Sequence, residues 1–310
     1  MGVAKYKYEV IQRTLYHTNN QLSIKELCEL AGVSRSGYYK WESSKDKREQ
    51  FEAKDREDFE LILAAYNHRG YKKGYRSIHM RLLQQGIKMN PKKIRRLMEK
   101  YGLACPIRKA NPYRRMAKAI RVDKVTENLL NREFNDHGAR KVLLTDITYI
   151  PFQGRFVYLS TIIDAYTRQV LAYQVSESLE VDFVLDTVKM LNKNHGIELS
   201  RETLIHSDQG CHYTSHRFIQ IVKNSKLRQS MSRRGNCWDN APQESFFGHM
   251  KDELAEKAIS WESFDNVKGD IIDWIDYYNT ERPQWQLNKL TPNQYYTYVM
   301  TGEDPLSDYR

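Results

Sequence analysis

Three carboxylates in this sequence sit where an acid is costly or conspicuous. Asp146 lies inside the apolar run LLTDITYI, where an ionised side chain costs free energy unless a partner or metal neutralises it. Asp208 directly follows a short apolar stretch in IHSDQG, and Glu244 falls near the start of an expected helix in NAPQESFFGHMKDE, with 35 residues between them. Singly, each has an ordinary alternative: a strand-edge residue, a turn former before Gly210, or a helix-start charge favoured by the dipole. Jointly they suit Mg²⁺, which takes a few carboxylates and keeps several waters. Two such ions, about 3.5–4 Å apart, can stabilise the attacking and leaving oxygens of an in-line phosphodiester displacement. Asp146, Asp208 and Glu244 are therefore the expected catalytic and metal-holding residues, with two Mg²⁺ ions as cofactor and Mn²⁺ able to substitute.

Lys251 comes seven residues after Glu244, so two helical turns return it to the same face, within reach of a DNA phosphate. The segment SMSRRGNCWDNAPQES reads as a loop over the site. Arg233 and Arg234 are its expected phosphate contacts, and Trp238 either stacks on a base or packs beneath the loop.

The elements that must carry these residues alternate between strand and helix from about residue 138. Strands are expected at 141–150, 156–164, 169–175, 203–206 and 227–231, with helices at 181–192, around 218–222 and at 242–254. The order β-β-β-α-β-α-β-α is that of an RNase H-like α/β fold, a mixed sheet with helices on both sides. Further on, IIDWIDYY is an aromatic helix that reads as a packing element of the core.

Upstream, the charge is uneven. The net charge of +10 conceals residues 69–124, where 18 Lys and Arg face two acids. Like charges at that density repel without a polyanionic partner, and nucleic acid is the commonest one. Within QLSIKELCELAGVSRSGYYKW, Ser23 and Ser34 read as helix caps and Gly32 as the turn of a helix-turn-helix, with Arg35 and Ser36 opening the second helix toward DNA. Residues 43–58 read as a charged, solvated linker running into a helix. Two more helices follow, at 77–85 and from Pro91 to about Lys100. On the latter, Ile94, Leu97 and Met98 form the buried face and Lys92, Lys93, Arg95 and Arg96 face outward as DNA contacts. Residues 105–124 read as an extended arm.

Cys28, Cys105, Cys211 and Cys237 form no C-x-x-C pair and suit reduced thiols in a cytoplasm. The spacing of His206, Cys211, His212 and His216 matches no zinc finger or ribbon. No apolar run is long enough to span a membrane, and the N-terminus does not read as a secretory signal.

These strings resemble the transposases of bacterial insertion sequences in the IS3 family, specifically its downstream-frame product. The resemblance runs through ELAGVSRSGYYKW, GYRSIHMRLLQQG, MNPKKIRRLMEKYGL, TDITYI, LSTIIDAYTRQVLAY, IHSDQGCHYTS, SMSRRGNCWDNAPQESFFGHMKDE and YYNTERPQWQLNKLTPNQYY. It implies an integrase-type core whose Asp-Asp-Glu set falls on Asp146, Asp208 and Glu244, followed by the basic residue at Lys251. It also implies metal-dependent cleavage and strand transfer at the terminal inverted repeats of an element, a homo-oligomer in the synaptic complex, and an upstream-frame protein or fusion as partner. One departure is YKKGYRSIH, with Lys-Lys where relatives read a shorter turn.

The expected organisation is a helix-turn-helix domain at 1–50, a second basic helical module at 51–104, a basic arm at 105–135, the catalytic domain at 136–300 and a tail at 301–310. The expected location is the bacterial cytoplasm, on the nucleoid when DNA is bound. Two other readings stand beside this one: a DNA-binding regulator on a catalytically silent RNase H-like scaffold, and an RNase H-type nuclease.

Overall fold

The computed structural model describes residues 3–106, 137–231 and 241–309. Arg233, Arg234 and Trp238 lie outside the described residues, as does the arm beyond residue 106. The chain divides into two compact units, Met1–Leu63 and Ala64–Arg310.

In the first unit, α1 (Val3–Leu15), α2 (Ile24–Ala31) and α3 (Arg35–Ser43) gather around Ile11, Leu27, Cys28 and Tyr38. Ser23 and Glu26 form a reciprocal capping box at the start of α2. Gly32 ends that helix at φ 62°, a left-handed turn that favours glycine, and the Ser34 hydroxyl accepts from Gly37 N to cap α3. Arg35 and Ser36 are both exposed on its first turn.

The charged run expected as a linker is instead the opening of α4 (Lys45–Asn67), and the boundary between units falls within this helix. Its Lys, Glu, Arg, Gln and Ala residues are strong helix formers without needing an apolar stripe. Pairs one turn apart, Lys45–Glu49 and Glu52–Arg56, add to that.

The second unit continues through α5 (Tyr75–Gln84) and α6 (Pro91–Lys100). Asn90 Oδ1 accepts from Lys92 N at 2.8 Å and Pro91 occupies the first turn, the expected start. Ile94, Leu97 and Met98 are buried, while Lys92, Arg95 and Arg96 are exposed and Lys93 is half-buried.

The sheet consists of β1 (Val142–Phe152), β2 (Arg155–Asp164), β3 (Val170–Ser176), β4 (Leu204–Ser207) and β5 (Arg228–Met231), in spatial order β3-β2-β1-β4-β5. The first three strands are antiparallel neighbours; β4 runs parallel to β1, and β5 parallel to β4. Between and after them come α7 (Val181–His195), the short α8 (Cys211–Thr214), α9 (His216–Asn224), α10 (Ala241–Leu254), α11 (Phe264–Thr280) and α12 (Pro292–Thr301).

Side chains alternate between the two faces of the sheet. Leu143, Ile162 and Leu171 join Val184, Val188 and Leu191 of α7 and Phe218 of α9 in one core. Ile150, Val157 and Leu159 join Phe246, Phe247 and Met250 of α10 and Trp274 and Tyr278 of α11 in the other. This mixed sheet with helices on both faces is the RNase H-like arrangement, and the aromatic helix is a core element as expected. Residues beyond α12 also pack, with Leu306 buried beside Leu83 and Leu290. No helix among the described residues is long and apolar enough to cross a membrane.

Candidate active site

Register across the sheet decides where the aspartates stand. Asp146 pairs with Thr161 of β2. On its other side, β1 pairs with β4 as Val142↔Leu204, Leu143↔Ile205 and Leu144↔His206. Beyond that last pair, Asp146 continues β1 two residues on, and Asp208 begins the turn that follows β4.

One buried side chain outside the three acids is sensitive to both aspartates. Tyr213 of α8 is wholly buried, and burial drives its phenol well above the usual tyrosine range; the negative charges of Asp146 and Asp208 push the same way. One hydroxyl thus feels both aspartates. Asp208 Oδ1 accepts from Gly210 N at 2.9 Å, which closes the turn after β4. A Cβ at Gly210 would stand 2.9 Å from that oxygen, so glycine permits the close approach. Asp146 Oδ1 accepts from Ile147 N at 2.8 Å.

Glu244 is exposed on the first turn of α10, and Lys251 is exposed two turns along the same helix. Partial desolvation lowers the Lys251 ammonium below the ordinary lysine value, and the Asp146 charge opposes that shift. Lys251 therefore stands in the field of Asp146. Gln243, adjacent to Glu244, is wholly buried and donates from Nε2 to Thr161 Oγ1. Neither Tyr213 nor Gln243 was singled out from sequence. Their only signals were proximity to Asp208 in IHSDQGCHYTS and to Glu244 in PQES.

Other polar groups nearby have local duties. Asp164 at the end of β2 accepts from Arg140 N and Nη1, both at 2.9 Å, and from Tyr166 N at 2.9 Å; it builds a turn. His206 Nδ1 meets the Ser230 hydroxyl at 3.1 Å, and His212 Nε2 meets the Leu179 carbonyl at 2.6 Å.

The donor chemistry of Asp146, Asp208 and Glu244 is hard carboxylate oxygen, which suits Mg²⁺ or Mn²⁺. Among the described residues, however, no three His, Cys, Asp or Glu side chains are grouped closely enough to share one ion. For all three acids to act on one ion, their carboxylates must approach more closely than they stand.

Comparison with known proteins now defines the class. Residues 136–237 and 225–292 match two integrase core domain models, and residues 52–111 match an HTH-like domain model. The last match falls on α4–α6 rather than on α2 and α3. The putative transposase InsK for insertion sequence element IS150 of Escherichia coli K12 is 31% identical over 274 residues, covering 87% of this chain and 92% of that protein. Transposase InsF for insertion sequence IS3A of the same organism is 30% identical over 283 residues, covering 89% and 94%. The HTLV-2 integrase catalytic core domain, solved in complex with magnesium, has 12% identity and a TM-score of 0.40, covering 51% of this chain and 97% of that one. The fold is an integrase core preceded by an HTH-like region. The chain belongs to the IS3 family of bacterial insertion-sequence transposases.

Proposed function

We propose that this chain cuts and rejoins DNA at the ends of an insertion sequence, with Asp146, Asp208 and Glu244 as the carboxylates that hold divalent metal. The observation that supports the reading is that Asp146 lies two residues beyond Leu144 on β1 and Asp208 two residues beyond His206, just past the end of β4, where Leu144 and His206 are the last pair of these parallel strands. Two acids brought toward one another repel, and a cation between them removes that cost. Lys251, on the helix that carries Glu244, feels the negative charge of Asp146, which favours its protonated form. When bound, Mg²⁺ or Mn²⁺ would supply charge stabilisation to the scissile phosphate and activation of a water or 3′-hydroxyl. The side chains hold that charge in place, and Lys251 contacts a neighbouring phosphate. Double-stranded DNA is the substrate, as terminal inverted repeats and as target. Joining two ends calls for a homo-oligomer in the synaptic complex.

Purified protein incubated with Mn²⁺ and duplexes ending in the inverted repeats that flank its coding frame tests this. Asp208→Asn should lower strand cleavage by about a thousandfold or more while DNA binding persists. Wild-type cleavage by that variant removes Asp208 from the mechanism.

A further inference from the structure

Gln243 is an uncommon residue to find fully buried, and one residue along the helix the chain is exposed at Glu244. Its amide nitrogen donates to Thr161 Oγ1, itself fully buried. Its amide oxygen is also buried and meets no hydrogen-bond partner among the described residues. A methionine of similar length would fill the same space without that unsatisfied carbonyl, so packing alone gives no reason for a glutamine here.

Position supplies a reason. Thr161 is the direct cross-strand partner of Asp146, and Asp208 follows the end of β4, the strand on the other side of β1. Thr161 and Asp146 therefore stand opposite one another in adjacent strands. The Gln243 amide ties the first turn of α10 to that pair. The rest of the helix is seated through Phe246, Phe247, Met250 and Leu254. Apolar contacts of that kind are non-directional and set the depth of a helix better than its rotation or its slide. A hydrogen bond is directional, and this one sits beside Glu244.

We propose that the Gln243–Thr161 hydrogen bond is a positioning device that fixes where Glu244 stands relative to Asp146 and Asp208. Gln243 and Thr161 touch neither metal nor DNA; they act through Glu244. The inference rests on Glu244 being a metal-holding residue and adds the support that holds it in register.

The test uses the full chain and two probes: Mn²⁺ titrated by calorimetry, and nicking of supercoiled plasmid in Mn²⁺. Glu244→Gln is the control for the underlying reading and should abolish nicking. Gln243→Met and Thr161→Val should each weaken Mn²⁺ binding by about 10- to 100-fold, as loss of a supporting hydrogen bond does at metal sites. Both should leave the plasmid KM and the unfolding midpoint near wild type. Thr161→Ser keeps the hydroxyl and should restore Mn²⁺ affinity. The double variant Gln243→Met/Thr161→Val should be no worse than either single one, because both remove the same bond. Unchanged Mn²⁺ affinity in both single variants, with Glu244→Gln inactive, overturns the positioning role while sparing the site. Affinity that falls only in step with the unfolding midpoint shows a merely structural bond and overturns it too. An active Glu244→Gln removes the reading on which the proposal stands.

Discussion

Lys251 offers a direct check on the geometry at the scale of single residues. Its ammonium is held down by desolvation and held up by Asp146. Removing the Asp146 charge takes away the only one of these influences that favours the protonated form. Asp146→Asn should therefore move the Lys251 pKa further down, as read from a pH titration of labelled lysine side chains by NMR. An unchanged or raised value places the ammonium away from Asp146. The acids themselves were legible because each contrasts with its own neighbours: an Asp in an apolar strand, an Asp at a strand end, a Glu at a helix start. Tyr213 and Gln243 were not, since nothing local distinguishes them. Their meaning comes from pairing between strands far apart in sequence, which no spacing rule encodes.

At the scale of elements, α10 and α11 are joined by more than apolar contact. Arg282, just after α11, donates to Glu253 of α10 from Nη2 at 2.8 Å and from Nε at 3.1 Å, and Glu253 Oε2 accepts from Trp274 Nε1 at 2.9 Å. The two charged side chains are only 15% and 10% exposed. Truncating one partner leaves the other charge buried and unpaired. Glu253→Ala should accordingly destabilise the fold by about 3–5 kcal/mol in chemical denaturation. A loss below about 1 kcal/mol would mean that the pair is solvated in practice. The strands and helices of the core were legible because apolar periodicity announced them, within a residue or two at most ends. Helix α4 was misread for the opposite reason: its first half is helical through propensity and charge pairing, with little apolar stripe to see. Helix α1, with Ile11 as its one buried side chain in the shared core among the described residues, announces itself no better.

For the molecule as a whole, two surfaces can be tested for a share in binding DNA, one in each unit. In the first unit, Arg35 and Ser36 are exposed on the opening turn of α3, where a recognition helix meets base edges. In the second, Lys92, Lys93, Arg95 and Arg96 lie along α6, within the chain segment that carries the positive excess. Binding to phosphates gives affinity without sequence information, while binding to base edges discriminates. The two sets should then separate cleanly in one experiment: binding of an element-end duplex and of a scrambled duplex across a salt series. Replacing the four α6 cations with Gln should weaken both duplexes alike and make the salt dependence shallower by about 0.9 for each phosphate no longer neutralised. Replacing Arg35 and Ser36 with Ala should instead narrow the gap between the two duplexes and change the slope by no more than about 0.9, the value for a single phosphate. If the α6 variant keeps the wild-type slope, those cations do not lie on DNA, and the positive excess must act elsewhere. If the α3 variant discriminates as well as wild type, the first unit does not read the element end. Sequence recognition would then belong to the HTH-like region of α4–α6 that carries the positive charge.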